Sequence, residues 1–352
     1  MKRDSIVIVG GGIIGLNVAL VLAKKGHGRH TTIIAEHLPG DTSINYTSPW
    51  AGANFSAISA SDENALRWDK LGYAHLLDLA AKDGQNAFVK ETPSVEYWDD
   101  MPSAAKIDSM AGYLKDFKKI PTQELPTGVA FGINFTTVTI TAPLHIQYLL
   151  KKLTEEYGVR VIRGKVPAIS SAFLGPDTKV VFNCTGNAAK HLEGVKDSKC
   201  FPTRGQILLS HAPHVQQNTM RHGKDYETYV IPRPYSNGKV ILGGFMQKGV
   251  STADTFREET ESILNRTKEM LPTLDSPNTE ILTAFSGLRP SREGGARVSR
   301  EEISLKGTGR QGTIVHNYGA GGTGFQAGYG MAVEAVNTVT QELQGLVHSS
   351  NL

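Results

Sequence analysis

The sequence predicts an α/β fold of two domains, each assembled from separate stretches of the chain. The chain opens with an apolar, β-branched run at Ser5–Val9, a glycine turn at Gly10–Gly15 and an apolar helix at Leu16–Lys25, as a Rossmann-like domain does. This strand–helix rhythm stops and returns near residue 141. We therefore predict a Rossmann-like domain of residues 1–55, 141–190 and 288–346, and a discontinuous α+β domain of residues 56–140 and 191–287 on a mixed or antiparallel sheet.

The composition excludes several classes of protein. The 352 residues carry a formal net charge of only +3. The sequence also lacks a basic stripe interleaved with aromatic residues, the pattern typical of nucleic-acid-binding proteins. The longest apolar stretch, Ile13–Ala23, contains Asn17 and is too short to span a membrane. The first strand begins almost at once, which argues against a secretory leader. Cys184 and Cys200 fit a reducing compartment, although a disulfide between them stays open.

The glycine turn predicts a dinucleotide site. Gly10 makes the tight turn, Gly12 lets backbone N–H groups approach a pyrophosphate, and Gly15 lets the helix pack on the strand. Glu36 ends the second strand, where a carboxylate accepts ribose hydroxyls. The motif alone does not name the nucleotide, and an NAD dehydrogenase remains open at this point.

The other elements follow from periodicity and from turn signals. Helices are predicted at Leu66–Ala81, at Leu144–Tyr157, from an N-cap at Asp254 to Leu271, and from Phe325 onwards. Strands are predicted at Thr31–Ala35, Val129–Ile140, Val159–Ile162, Lys179–Asn183, Tyr226–Ile231, Lys239–Gly243, Glu280–Ala284 and Thr313–Asn317.

A second glycine-rich turn, Tyr318–Gly324, precedes the last helix and offers another cradle of backbone N–H groups. The turn Cys184-Thr185-Gly186 ends a strand, where open α/β sheets bind ligands. Two glycine turns exceed what an NAD fingerprint needs.

Several motifs occur in the order found in one enzyme family. They are the first glycine turn, Tyr46–Phe55, Asn183–Gly186, Arg204-Gly205-Gln206, Tyr229–Pro234, Gly287–Pro290, and Ile314–Gly324 with Gly330 and Ala332. On these motifs the chain resembles the D-amino-acid oxidases over essentially its whole length, and the fungal members most closely.

The resemblance implies non-covalent FAD and the oxidation of a D-amino acid by hydride transfer from Cα to flavin N5. The imino acid then hydrolyses to a 2-oxo acid and ammonia, and O₂ becomes hydrogen peroxide. Arg289 matches the guanidinium that binds the substrate carboxylate, and Tyr229 matches the phenol that reaches the same group. The carbonyl of Gly322 would accept from the substrate amine, with Gln326 nearby.

The first domain is accordingly expected to bind FAD and the second the substrate. The expected FAD-binding residues belong to the strand ends and glycine turns: Gly10, Gly12, Ile13, Ile14, Gly15, Glu36, Ser43, Ser48, Ala51, Gly52, Asn54, Val166, Thr185, Gly186, Gly319, Gly321, Gly322 and Thr323. Met246 and Phe55 are expected to line the substrate pocket.

Met246 departs from the family pattern, which often has a bulky aromatic residue there, while D-aspartate oxidases tend to have arginine. A neutral, flexible methionine predicts a preference for neutral or apolar D-amino acids. The alternatives are a D-aspartate oxidase, a glycine- or sarcosine-type amine oxidase, or a flavin-binding protein without turnover.

The remaining expectations concern metals, partners and location. His316 belongs to the signature and is expected to be structural, and His211 with His214 lacks the further ligands of a metal site, so no metal is predicted. We expect a homodimer that uses a D-amino acid and O₂ and binds neither nucleic acid nor membrane. The tail Ser350-Asn351-Leu352 resembles a peroxisomal address, with the cytoplasm as the alternative.

Overall fold

The computed structural model describes residues 4–56, 58–224, 226–305, 307 and 309–348. The chain divides into two compact units. The first unit comprises the described parts of Met1–Pro49, Ile146–Pro202 and Arg289–Leu352, and the second comprises those of Trp50–His145 and Thr203–Leu288. The tail 350–352, with its expected peroxisomal address, lies outside the described residues.

In chain order, the strands are β1 (Ile6–Val9), β2 (Thr31–Ala35), β3 (Val89–Trp98), β4 (Lys118–Lys119), β5 (Phe131–Ile140), β6 (Arg160–Arg163), β7 (Val180–Asn183), β8 (Cys200–His211), β9 (Asn218–His222), β10 (Glu227–Pro232), β11 (Lys239–Gly243), β12 (Gln247–Lys248), β13 (Glu280–Arg292), β14 (Arg297–Leu305) and β15 (Arg310–Tyr318). The helices are α1 (Ile13–Lys24), α2 (Glu63–Ala87), α3 (Ala104–Tyr113), α4 (Ala142–Glu155), α5 (Arg257–Met270), α6 (Gly324–Asn337) and α7 (Thr340–His348). None of these helices is long and apolar enough to cross a membrane.

The first unit is built on a six-stranded sheet with the order β14-β15-β7-β1-β2-β6. All neighbours pair in parallel except β14 and β15. Every residue of β1, β2 and β7 is buried, as in parallel sheets that are covered on both faces. Helix α1 is apolar nearly all round for the same reason, and it packs against α6. A Cβ at Gly328 of α6 would lie 3.0 Å from Cδ1 of Ile14, so glycine permits the close approach.

The second unit contains a nine-stranded sheet with the order β12-β8-β11-β10-β9-β3-β5-β4, and β13 pairs with β8. Along the path from β12 to β4 every pair is antiparallel except β3 with β9, so the sheet is mixed. Alternating burial along β3 fits a sheet with one face in the core. The two sheets confirm the predicted α/β class.

Most predicted elements are present within a few residues, and β2 and β11 have the predicted bounds. The elements that were not predicted are β3, β4, β8, β9, β12, β14 and α3. The predicted N-cap at Asp254 is wrong, because α5 begins at Arg257 after Phe256. The carboxylate of Asp254 instead accepts the Thr252 hydroxyl at 2.5 Å, and its carbonyl accepts from Ser286 Oγ at 2.9 Å.

The unit boundaries differ from the predicted domain boundaries by five or more residues at three places, and at a fourth by Leu288 alone, which lies in the second unit. Residues 50–55 belong to the second unit, because the N–H groups of Ala53 and Phe55 donate to carbonyls of β5 at 2.9 and 2.8 Å. Thr141 also stays there, since its hydroxyl donates to the Pro234 carbonyl. Residues 191–202 belong to the first unit, where Leu192 packs in one apolar cluster with Val7.

Cys184 and Cys200 are buried free thiols, which answers the disulfide question that the sequence left open. Burial raises the pKa of both thiols, and that of Cys200 to about 11.

A buried ionic cluster lies in the second unit around His222. Its Nδ1 is 2.6 Å from Glu227 Oε2, and its Nε2 is 3.1 Å from Oε2 of the fully buried Glu96. Ser56 Oγ donates to the same Glu96 oxygen at 2.8 Å. Burial alone would lower the pKa of His222, but hydrogen bonds to Glu227 and Glu96 outweigh it and raise that pKa to about 9.

This cluster predicts a pH-dependent stability. Because the folded pKa of His222 is raised above its ordinary 6.5, its stabilising contribution is complete below pH 6.5 and is lost as the pH rises through 9. We expect His222→Gln to remove on the order of 2 kcal/mol of unfolding free energy near pH 6 and much less near pH 10. Denaturant titrations at both pH values measure this, with the exposed His214→Gln as control. An equal loss at both pH values would contradict it.

Candidate active site

The centre of the six-stranded sheet provides a ligand site at the strands' carboxyl ends. β1 lies between β2 and β7. The chain first adds β2 and β6 on one side of β1 and then adds β7 and β15 on the other side, so the order of strands reverses at β1. In open α/β sheets, ligands bind in the crevice at such a switch point. The glycine turn follows β1, Glu36 follows β2, and Thr185 and Gly186 follow shortly after β7. These predicted residues therefore share one edge of the sheet.

The glycine turn is required by close packing. Gly10 has φ +120°, and a Cβ there would collide with the carbonyl of Cys184. A Cβ at Gly15 would collide with the carbonyl of Gly10, so α1 can start directly against the turn. A Cβ at Gly12 would come within 3.0 Å of Ser48 Oγ. The contacts of Gly10 and Gly15 fit the tight turn and the close helix packing predicted for them, and the pyrophosphate role of Gly12 stays a prediction.

The segment before Pro49 holds the glycine turn in place. The Ile13 N–H donates to Ser48 Oγ at 2.9 Å, and the Tyr46 hydroxyl donates to the Gly11 carbonyl at 2.7 Å. Ser43 shapes this segment, since its carbonyl accepts the Tyr46 N–H at 3.0 Å. Ser43 and Ser48 stay predicted cofactor ligands, and these contacts also make them part of the scaffold around the glycine turn.

Two helix N-termini fit an anionic cofactor. Helix α1 starts at the N-cap Gly12 and α6 at the N-cap Thr323, and neither has a side-chain cap or an acidic residue in its first turn. Gly319 and Gly321 before α6 have φ of +84° and +57°, which glycine adopts without strain. Unsatisfied N–H groups and the positive helix end attract a pyrophosphate.

Glu36 fits the ribose end of the same cofactor. Its side chain is 53% exposed just beyond β2, and its carboxylate lies 3.8 Å from Lys165 Nζ. Val166, the next residue, packs partly buried against the core cluster of the first unit. The residues present in this unit thus fit FAD, and they were predicted from the strand ends and the glycine turns.

His316 connects β15 to the Thr185 turn. Its ring is 1% exposed, with Nε2 2.9 Å from Glu301 Oε2 and Nδ1 3.2 Å from Asn183 Nδ2. Asn183 Oδ1 in turn accepts the Thr185 hydroxyl at 2.7 Å. Burial lowers the pKa of His316. A neutral histidine held on both nitrogens is a structural group, as the sequence analysis expected.

Arg289 and Gly322 lie together in the first unit. The Gly321 N–H donates to the Pro290 carbonyl at 2.8 Å, and Ser291 forms a bridge with Ala320. A Cβ at Gly322 would lie 3.7 Å from Cδ of Arg289, so the guanidinium stem runs along the glycine turn. Gln326 is in the first turn of α6 and is 2% exposed. Three of the four predicted catalytic positions are thus on neighbouring segments.

The fourth predicted catalytic residue, Tyr229, is in the second unit. Its ring is 9% exposed and lies over Gly243 and Gly244, where any Cβ would collide with it. The cross-strand register pairs Tyr229 with Gly243. Met246 follows this glycine pair and is 45% exposed. A solvent-accessible Met246 suits the predicted pocket position.

The residues at positions 51–54 are also in the second unit, where Arg233 holds them. Arg233 Nε donates to the Gly52 carbonyl at 2.7 Å and Nη2 to the Ala51 carbonyl at 2.8 Å. Asn54 Nδ2 donates to the Phe55 carbonyl at 3.1 Å. Burial lowers the pKa of Arg233 to about 10. Arg233 lies in the Tyr229–Pro234 motif, for which no role of this arginine was predicted. No local signal in the sequence shows that the arginine is buried and donates to backbone carbonyls.

Phe55 does not occupy the predicted pocket position. The ring is fully buried, 4.7 Å between centroids from Tyr73 and 6.2 Å from Tyr113. It belongs to an aromatic core cluster of the second unit, since a ring without exposed surface leaves no room for a ligand. The described residues contain no group of three or more His, Cys, Asp or Glu side chains that could hold a metal ion.

Comparisons of this chain with known proteins also indicate an FAD-dependent enzyme. Residues 5–338 match the family model described as FAD dependent oxidoreductase. The chain is 44% identical over 340 residues to a D-amino-acid oxidase of Schizosaccharomyces pombe, covering 95% of this chain and 96% of the relative. It is 28% identical to a D-aspartate oxidase of Cryptococcus neoformans, covering 94% and 95% of the two chains.

Solved structures show the same fold at low identity. Glycine oxidase from Geobacillus kaustophilus aligns with a TM-score of 0.71 and 18% identity, covering 97% of this chain and 95% of that chain. L-proline dehydrogenase from P. horikoshii aligns with a TM-score of 0.72 and 18% identity, covering 97% and 94%.

These comparisons confirm the predicted fold and the FAD cofactor, and they remove the NAD alternative. The chain belongs to the D-amino-acid oxidase family of FAD-dependent oxidoreductases.

Proposed function

We propose that this protein oxidises neutral or apolar D-amino acids to 2-oxo acids, with release of ammonia and hydrogen peroxide. The main support is the 44% identity, over almost the whole chain, to a protein named D-amino-acid oxidase. The first unit would bind FAD, without a covalent bond, and the second unit would supply the wall for the substrate side chain.

Arg289 would hold the substrate by its carboxylate. A planar guanidinium gives a bidentate hydrogen bond to a carboxylate, which fixes orientation as well as position. The carbonyl of Gly322, beside the Arg289 stem, would accept from the substrate amine. Tyr229 would donate its hydroxyl to the same carboxylate, and Gln326 would supply a further polar group.

FAD, when bound, supplies the hydride acceptor for the Cα–H bond and the route of the electrons to O₂. The task of the protein is then to orient the substrate, and no side-chain base is required for hydride transfer. This fits His316, which is engaged on both nitrogens inside the sheet.

The second candidate is a D-aspartate oxidase, because one relative at 28% identity has that name. A side-chain carboxylate would need a cation near position 246, and Met246 is neutral and 45% exposed. A glycine- or sarcosine-type amine oxidase has support only from fold likeness at 18% identity. We therefore favour neutral or apolar substrates.

Two further expectations remain proposals. A homodimer is expected from the resemblance alone. A peroxisomal location is consistent with the peroxide chemistry, and imaging of the full chain with a fluorescent protein at its N-terminus would test it.

A peroxide-coupled assay across D- and L-amino acids tests the proposed function, with a flavin spectrum of the same sample. We expect turnover of D-alanine, D-valine and D-phenylalanine and none of their L-forms. A yellow protein that releases no peroxide with any D-amino acid would refute the proposal and favour a flavin-binding role without turnover.

Arg289→Ala should abolish most of the activity. Losing the partner of a buried carboxylate costs on the order of 2–5 kcal/mol, so kcat/KM for D-alanine should fall by at least about 30-fold. Steady-state kinetics measures this, and the flavin absorbance should persist. Arg289→Lys keeps the positive charge but loses the bidentate hydrogen bond. Its kcat/KM for D-alanine should therefore lie between those of the unmodified protein and of Arg289→Ala. Arg160→Ala, in an exposed ion pair with Asp4 in the same unit, is the control. Loss of FAD with unchanged activity per flavin would give Arg289 a structural role.

Met246→Arg should shift selectivity towards acidic substrates. A new charge-assisted hydrogen bond to a side-chain carboxylate should raise kcat/KM for D-aspartate relative to D-alanine by about 10-fold or more. The exposed Val250→Arg is the matched control. If both variants change this ratio equally, Met246 is not at the side-chain wall.

A further inference from the structure

We propose that helix α5 sets substrate selectivity by bracing the segment Gly244–Gln247, which carries Met246, at both of its ends. The two braces are Arg266 and Glu259, both on α5. This inference rests on the proposed function, because it takes Met246 as part of the wall that meets the substrate side chain.

Arg266 braces the Gly244 end. Its Nη2 donates to the Gly244 carbonyl at 3.0 Å, and its Nη1 donates to the Glu227 carbonyl at 2.9 Å and to Thr228 Oγ1 at 2.6 Å. The Glu227 carbonyl also accepts the Gly244 N–H at 2.9 Å. One guanidinium therefore joins the start of β10 to the backbone just after β11.

The rings beside Arg266 complete this brace. Its guanidinium carbon lies 5.3 Å from the Phe245 ring centroid and 5.8 Å from that of Tyr226. Burial lowers the pKa of Arg266. A planar fork suits these carbonyls and rings together, which a lysine ammonium does not.

Glu259 braces the Gln247 end. Its Oε1 accepts from Gln247 Nε2 at 2.6 Å, and its Oε2 accepts from Arg204 Nη1 at 2.8 Å. The same Arg204 nitrogen donates to Gln247 Oε1, and Gln247 pairs with Arg204 in the register of β12 with β8. Arg204 is fully buried, and the Glu259 side chain is 11% exposed. Gln247 thus cannot move without losing its hydrogen bonds to both members of a buried ion pair.

Arg204-Gly205-Gln206 also fixes the start of α5. Gln206 Oε1 accepts the Phe256 N–H at 2.7 Å, and its Nε2 donates to the Phe256 carbonyl at 2.9 Å. The Arg204 guanidinium lies 4.9 Å from the Phe256 ring centroid. The motif, which the proposed reaction does not otherwise use, therefore anchors the helix that carries both braces.

Only two residues, Phe245 and Met246, lie between the braced ends. Phe245 is partly buried against the core of the second unit, and Met246 is the exposed member of the segment. Glu259 and Arg266 are seven positions apart, so they occupy the same face of α5, with the fully buried Ile263 between them. The backbone position of Met246 is thus fixed through its two neighbours in the segment, whose ends α5 holds.

The test compares selectivity and local opening in braced and unbraced variants. Glu259→Gln and Arg266→Lys weaken one brace each, and Gln247→Ala is a milder change that leaves the Arg204–Glu259 ion pair in place. We expect kcat/KM for D-phenylalanine relative to D-alanine to change at least five-fold in each. Hydrogen exchange of peptides covering residues 244–250 should accelerate in the same variants. Glu261→Gln, from an exposed ion pair with Arg257 on the same helix, should change neither.

Each result decides one point. Faster exchange with an unchanged selectivity ratio, or equal loss for both substrates, would overturn the inference and leave α5 a purely structural role. Unchanged exchange in Gln247→Ala and Arg266→Lys would overturn the braces themselves. If the unmodified protein oxidises no D-amino acid, the proposed function fails and the selectivity inference fails with it, whatever the exchange data show.

Discussion

The contact between Gly10 and the Cys184 carbonyl is the constraint on which the first unit depends. It joins the ends of β1 and β7 so closely that no side chain fits between them. Gly15 is similarly constrained, because a Cβ there would collide with the Gly10 carbonyl. Helix α1 can therefore begin directly at the sheet's carboxyl edge. The positive end of the α1 dipole then lies at the edge where ligands bind. Every later feature of the flavin site is placed relative to this junction.

In the second unit, arginine side chains hold segments in place, whereas in the first unit close backbone contacts at glycines do so. The buried Arg233 and Arg204 and the partly buried Arg266 all donate to backbone carbonyls, those of Ala51, Asp254 and Gly244 respectively. Buried guanidinium groups are costly unless several acceptors surround them. Such groups tolerate few alternative arrangements, which suits segments that must present one surface to a small substrate.

Features with a short local sequence pattern were predictable, and features that depend on contacts between distant residues were not. The glycine turns, β2 and β11 were predictable because each has a short, characteristic motif, whereas Arg289 was singled out only by the family resemblance. β3 was missed because Pro93 interrupts a pattern that only pairing with β5 makes a strand. Phe55 was misplaced because its burial depends on Tyr73 and Tyr113, which are distant in sequence. The α5 braces join four separated segments, and no single stretch of sequence contains them.

The two buried thiols have a consequence for durability. Peroxide attacks thiolates and not thiols, and burial keeps Cys184 and Cys200 protonated at any physiological pH. A catalyst that releases hydrogen peroxide at its own flavin is exposed to that oxidant at every turnover. The placement of its two cysteines inside the core therefore keeps both thiols in the form that this oxidant does not attack.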